Sequence, residues 1–425
     1  MNFIDKIKLI FQDKGLRSRI FFVLGALFIS RLLAAIPIPG IDTAKLTSFF
    51  AGNDFLSFLN VFSGGGMSKL SIVMLGVGPY ITSSIIMQLL TMMSSKIKTM
   101  YQEEGEIGRR KFTQISRALT IPIAIIQGFS FIKLLESSAV ISNMSAFDFI
   151  FNLSIIVAGS MLMMWIGELM TEFGIGNGTS MLIFAGIVSS LPTTLSRLSM
   201  QFNISEIPIY LALAVAFLAV IYGVVFISEA ERPVPVTYAK RITGSKTTGG
   251  VSTYLPLRLN QAGVIPIIFA MSILLFPQII FKFLSQSTAV TSEMIRNISL
   301  VLNDFFANAW VNGILYFVLV VLFTYFYTAV TFDPDQISKN LQQSGAFIPG
   351  VRPGTSTSEY LEKVLTRITL VGALFLGVIA VLPLIVQSIS GISSVAVGGT
   401  ALLIVVSVVI DLIKKIQAQV TMREY

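Results

Sequence analysis

The chain has 425 residues, of which 54% are hydrophobic and only 12% charged, with a mean hydropathy of +0.81. So few charges cannot cover a soluble fold of this size, in which about a quarter of residues are charged, and the composition is that of an integral membrane protein. The lack of cysteine and histidine excludes disulfides, thiolate nucleophiles, Cys/His metal sites and imidazole chemistry.

A helix needs roughly 20 largely apolar residues to cross the hydrocarbon core. Stretches of that kind begin with residues 20–36, which follow Lys14, Arg17 and Arg19. No small-residue cleavage pattern follows this run, so a retained helix is expected rather than a signal peptide. Next comes a shorter apolar piece, residues 55–62, which as a helix reaches only about 12 Å. It leads into Ser63-Gly-Gly-Gly66. Such a piece either folds back into the protein, where irregular backbone is tolerated at membrane depth, or lies on the surface as an interfacial helix. Nine more spans are predicted, at residues 70–93, 118–135, 149–170, 180–191, 207–227, 263–281, 311–332, 368–385 and 398–412.

Lys and Arg set the orientation. With the N-terminus inside, 23 of the 30 fall on the cytoplasmic side, and Arg31 lies within the first span. Only Lys45, Lys69, Lys133, Arg197, Lys282 and Arg296 fall outside. Both termini are therefore expected to be cytoplasmic. Two long connections on that side, residues 228–260 and 331–367, carry basic residues among Gly and Pro. Topology needs only a few charges beside a helix end, so their length points to a docking surface for a cytoplasmic partner.

Coupled transporters and pumps keep ionisable residues inside the membrane. Here Arg31 is the only charge well inside a span, while Lys133, Glu168 and Asp411 sit near span ends. No stretch fits the phosphate-cradling GxxxxGK[ST] pattern, and Gly244-Ser-Lys-Thr-Thr-Gly-Gly250 departs from it. Glu103, Glu104 and Glu106 read as a solvated loop cluster rather than a catalytic pair. A secondary transporter with broken helices, or a membrane-embedded enzyme, would need chemistry this chain lacks. The residues favour a conduit driven by something else, with no cofactor.

Nine blocks in order resemble the SecY family, the central subunit of the bacterial protein-conducting channel. They are Ile36-Pro-Ile-Pro-Gly-Ile-Asp42, Phe62-Ser-Gly-Gly-Gly66 and Pro79-Tyr-Ile-Thr-Ser-Ser-Ile-Ile-Met-Gln-Leu-Leu90. Glu104-Gly-Glu-Ile-Gly-Arg-Arg-Lys111 follows, then Trp165-Ile-Gly-Glu168 running into Gly174-Ile-Gly-Asn-Gly178. The later half adds Val236-Thr-Tyr-Ala-Lys-Arg241, Leu259-Asn-Gln-Ala-Gly-Val-Ile-Pro266, Phe347-Ile-Pro-Gly-Val-Arg-Pro-Gly354 and Gly398-Gly-Thr-Ala-Leu-Leu-Ile-Val-Val406.

The resemblance implies an all-α integral membrane protein: ten transmembrane helices in two inverted five-helix halves around a central hourglass pore, with a short re-entrant plug helix. A tail of residues 1–19 would precede an N-terminal half, 20–200, with its plug at about 55–66. A C-terminal half, 201–412, and a tail, 413–425, would follow. The pore would be closed midway by Ile81, Ile85, Ile183, Ile187, Ile268 and Ile404, residues whose ordinary role is core or lipid contact. The i,i+4 spacing of the first two pairs puts each pair on one helical face. The plug would comprise Phe55, Leu56, Phe58, Leu59, Val61, Phe62, Gly64, Gly65 and Gly66, which decides for the re-entrant alternative. Gln127 on the third span and Asn260 on the seventh would be polar residues of a lateral gate, although Gln127 also reads as a structural amide.

Lys240, Arg241 and Arg352 would meet partners, Arg through its planar fork. Glu231-Arg-Pro-Val-Pro235 is less basic than in many relatives, which weakens that loop tip as a ribosome contact. The implied partners are SecE and SecG subunits, the SecA ATPase motor, the ribosome, signal sequences, unfolded preproteins and membrane lipids. The implied location is the bacterial cytoplasmic membrane, and no enzyme activity is expected.

Overall fold

The computed structural model describes residues 13–38, 60, 63, 66–67, 69–137, 140, 145–200, 207–238, 241–243, 246–248, 252–263, 265–286, 293–390 and 393–424. The first half comprises α1 (Lys14–Ala35), α2 (Gly78–Met93), α3 (Ser95–Gln102), α4 (Gly105–Ser137), α5 (Ala146–Phe173) and α6 (Gly178–Met200). The second begins with α7 (Ile207–Glu229), followed by β1 (Glu231–Tyr238), β2 (Arg241–Thr243), β3 (Lys246–Thr248) and β4 (Ser252–Arg258). It continues through α8 (Ile265–Gln286), α9 (Glu293–Ala307), α10 (Ala309–Thr331), α11 (Pro334–Gln343), β5 (Ala346–Phe347), α12 (Thr355–Ser390) and α13 (Ser393–Glu424). A helix stands at each of the ten predicted spans. Among the described residues six helices are long and apolar enough to cross a membrane by length and composition, and Gly178–Pro192 and Ile265–Leu274 are shorter apolar helices. Large side chains such as Phe28, Leu211, Leu218 and Ile314 lie exposed on the outer faces, as lipid-facing surfaces require. The protein is a multi-pass membrane protein.

Local chemistry sets several helix starts. Asp13 accepts a hydrogen bond from the Gly15 N–H at 2.8 Å to open α1, and Asn308 accepts from Trp310 at 3.0 Å to open α10. Asp333 accepts from Asp335 and Gln336 at 3.0 and 3.2 Å, with Pro334 in the first turn of α11.

The second span is only half helical. Residues 66–67 and 69–77, expected as helix from Leu70 onward, form mostly tight turns, and α2 begins at Gly78 with Pro79 in its first turn. Two residues take positive φ, Leu70 at 42° and Gly76 at 53°, a backbone that an α-helix cannot contain. The irregular run is deeply buried at Leu70, Val73 and Met74. Its backbone is satisfied locally and by the end of the first span: Ile38 N–H donates to Leu70 O at 2.8 Å and Ile72 N–H to Ile36 O at 3.0 Å. Gly159 of α5 lets this run approach closely, since a Cβ there would stand 1.9 Å from the Ile72 carbonyl oxygen.

Within each half the helices pack on sequence neighbours: α2 on α4, α4 on α5 and α5 on α6; then α10 on α12 and α12 on α13. Between halves, α6 packs on α13 along one seam, and α8 meets α2 and α4 along the other.

The two long connections are not irregular. β1 pairs antiparallel with β4 from Glu231↔Arg258 to Thr237↔Ser252, and with β5 at Thr237↔Phe347 and Tyr238↔Ala346. One three-stranded sheet, in the order β4-β1-β5, thus joins both loops, and β2 and β3 form a separate hairpin. Pro233 and Pro235 are tolerated in β1 because β5 covers only its last two residues and leaves that flank open. Val234 and Val236 alternate inward and pack with Leu257, Ile348, Leu361 and Val364, which seats the sheet on the first turns of α12.

Candidate functional site

Ile183 and Ile187 of α6, Ile268 of α8 and Ile404 of α13 belong to one buried cluster, with Ile81 of α2 packed against it. Ile85 sits in the adjoining cluster with Ile267, Phe269 and Leu274, and Ile81 touches that cluster too. All but Ile81 are at most 5% exposed. The six isoleucines, from four helices, thus fall in two adjoining clusters that Ile81 links. Val73 and Val77 from the irregular run complete the cluster from below the helix start.

A polar cavity of about 290 Å³ opens directly onto this cluster. Its walls come from Asn177 and Ser180 at the start of α6, Arg258 and Asn260 before α8, and Asp411 and Lys415 on α13. Met181 and Val408 line the cavity and also belong to the isoleucine cluster, so the two adjoin. Nothing in the sequence reading had joined Asp411 and Lys415 to the pore. Their i,i+4 spacing on a helix was the available signal. A smaller neighbouring cavity shares Arg258, Asn260 and Asp411, and beside it Lys414 Nζ donates to the Ser228 carbonyl at 3.0 Å. That contact ties the end of α7 to α13.

Asn260 lies not on the seventh span but in the turn before α8, where the chain must reverse after β4. Its Nδ2 donates to the Gly263 carbonyl at 3.2 Å, and its buried Oδ1 has no partner among the described residues. Gln127 of α4 donates from Nε2 to Thr82 Oγ1 of α2 at 3.5 Å, a long contact at the limit of hydrogen bonding. Each amide thus has its own partner, one within its turn and one between the second and third spans.

Two cross-span contacts were missed in the sequence. Arg31 donates to Ser189 Oγ at 2.8 Å, joining α1 to α6, and Arg117 pairs with Glu168 at 2.7 Å, joining α4 to α5. Glu168 therefore reaches a neighbouring helix. Lys133 pairs with Glu136 at 2.7 Å on its own helix.

The plug residues Phe55, Leu56, Phe58, Leu59, Val61, Phe62, Gly64 and Gly65 lie outside the described residues. Of the same stretch, Ser63 Oγ donates to the Asn60 carbonyl at 3.0 Å and accepts from Met67 N–H at 3.1 Å. Gly66 is tightly placed, with Ser71 Oγ 2.9 Å from where a Cβ would stand. Lys240 also lies outside the described residues, and Arg241 is placed as the first residue of β2. Arg352 is exposed beside the sheet, and its carbonyl accepts from Thr357 Oγ1 at 2.8 Å.

A family model described as SecY matches residues 71–413. The protein translocase subunit SecY of Mycobacterium tuberculosis is 40% identical over 430 residues, covering 96% of each chain. That of Synechocystis is 40% identical over 422 residues, covering 97% of this chain and 94% of the other, and that of Staphylococcus aureus is 37% identical over 426, covering 98% and 97%. Among solved structures, "The structure of a protein conducting channel" is similar with a TM-score of 0.66 at 19% identity, covering 96% of this chain and 93% of the other. Sec61 in the canine ribosome-channel complex from the endoplasmic reticulum is similar with a TM-score of 0.62 at 17% identity, with the same coverage. At those identities the likeness is one of fold.

Proposed function

The chain belongs to the SecY family of protein translocase subunits, and from that premise we propose that its six central isoleucines form the gated constriction of a protein-conducting pore. The carrying observation is that the cavity adjoins the isoleucine cluster through Met181 and Val408. A hydrated vestibule that ends abruptly on branched aliphatic side chains is the geometry of a dewetting gate: ions meet an apolar barrier, and a translocating chain meets side chains that bind nothing strongly. Substrates of any charge or polarity can pass such a ring, which a polar lining would not allow.

The seam between α8 and the pair α2/α4 is the exit toward lipid for hydrophobic segments. Gln127 and Asn260 lie on its two sides, and an apolar signal helix entering there replaces weak polar contacts with apolar packing. Residues 55–66 act as the plug. The N-terminal and C-terminal halves, 20–200 and 201–412, move as the two jaws. The chain carries no engine and is not itself an enzyme. Its sheet, with Lys240, Arg241 and Arg352, docks the ribosome or the SecA motor on the cytoplasmic side of a bacterial inner membrane. Both termini face the same side, and SecE and SecG clamp the assembly.

Co-expression with SecE and recording in planar bilayers tests the reading. The intact channel is expected to be silent and a deletion of residues 55–65 to conduct ions. Silence of both, together with solute uptake driven by a gradient, would overturn it.

A further inference from the structure

Between α8 and α10, at the end of the helices away from the sheet, the chain builds a 15-residue helix that the hydropathy pattern did not reveal, α9. Four exposed apolar residues, Met294, Ile298, Val301 and Phe305, recur at i, i+4, i+7 and i+11, which at about 100° per residue confines them to a sector of roughly 60°, while exposed Leu300 lies about 130° from its centre. All four are exposed, Val301 at 69%. Ser299, about 130° away, is buried, and Phe306 on the same side stacks on Phe281 of α8 with ring centroids 5.9 Å apart. Asn297 and Asp304 lie exposed on the flank between those two faces. So α9 already has a protein-facing side and a polar side, and its apolar stripe belongs to neither.

The neighbouring surface indicates what covers it. A single residue, Asn308, separates α9 from α10, and the turn is held by Asn312 Nδ2 donating to the Phe306 carbonyl at 3.4 Å. The exposed residues that follow at once, Trp310 and Ile314, belong to a helix long and apolar enough to span a bilayer. Beside them runs a groove of about 250 Å³ lined by Trp310, Gly313, Ile314, Phe317, Val381 and Leu384, all apolar in their lining. The stripe on α9 is thus followed, one turn of chain later, by the exposed apolar surface of α10, which opens with a tryptophan, a residue type enriched at membrane boundaries.

We propose that α9 is an interfacial helix whose Met294, Ile298, Val301 and Phe305 insert among the lipids of the leaflet opposite the sheet, anchoring the linked ends of α8 and α10. A helix with one apolar stripe and a polar flank binds a bilayer surface in this way. The inference rests on the membrane-embedded channel reading and adds that one side of its lateral seam is tied to lipid.

The chain has only two tryptophans, Trp165 and Trp310, which makes fluorescence quenching a direct test. The full chain would be reconstituted into phosphatidylcholine vesicles containing lipid brominated near the headgroup. Trp165→Phe leaves Trp310 as an internal reference for insertion. On a background lacking both tryptophans, Val301→Trp is expected to be quenched at least about twofold more strongly than Asn297→Trp, because only the first faces acyl chains. Quenching of Val301→Trp by aqueous iodide but not by bromolipid would overturn the proposal. Shielding from both quenchers would also overturn it and would mean that protein covers the stripe. If Trp310 itself escapes the bromolipid, the embedding of α10 fails, and with it the wider reading.

Discussion

Ile404 shows how much a single position can carry. It is fully buried in the cluster that α6, α8 and α13 share, next to a cavity lined by Arg258, Asp411 and Lys415. In the proposed gate an aliphatic group there would act by denying water a partner. Ile404→Asn should therefore raise ion conductance of the otherwise silent channel in planar bilayers, since one amide at the constriction is enough to hold water. Conductance at the intact level would remove Ile404 from the gate. Gly159 illustrates the opposite kind of constraint. There the absence of a side chain lets the irregular run of the second span lie against α5.

At the scale of elements, the sheet is the clearest case of structure assembled from distant pieces. β5 contributes only two residues, yet it joins two loops separated by three helices. Its stability rests on a small core of its own, in which Leu257 and Leu361 are completely buried. Leu257→Ala should destabilise this unit by about 2–5 kcal/mol while leaving the apolar spans in place. Trypsin would then cleave between residues 239 and 250 faster than in the unsubstituted protein, with the helix content by circular dichroism unchanged. Equal cleavage rates would mean that the sheet is held by something other than this core. The Arg117–Glu168 pair plays a lesser part, because Arg117 is 47% exposed and screening limits such a contact to roughly 1 kcal/mol or less.

At the scale of the whole molecule, the main contacts between the halves among the described residues are α6 with α13 and α8 with α2 and α4. A body joined in that way can part along one seam while hinging on the other, which a protein that must both pass chains through and release helices sideways requires. Its orientation is testable because the chain has no cysteine. A membrane-impermeant thiol reagent applied to intact cells should label Asp304→Cys, near α10, and should label Arg352→Cys, beside the sheet, only after permeabilisation. The reverse pattern would invert the topology.

The positions of the apolar helices and the class of molecule were legible in the sequence. Apolar length and basic flanks are properties of contiguous residues, and the bilayer acts on each segment separately. The motif blocks singled out the six isoleucines proposed for the constriction, but only by resemblance, since isoleucine in a membrane helix is ordinary. Three features depended on the folded chain. The helix of the second span starts only at Gly78, and Leu70 and Ile72 before it bond instead to Ile38 and Ile36 at the end of the first span, to which average hydropathy is blind. The sheet needs Thr237 and Phe347 to meet across 110 positions. The cavity exists because Asn177, Arg258 and Asp411, from three distant segments, line one space. Apolar burial can be read residue by residue, whereas a site made by convergence is decided only when distant segments are packed against one another.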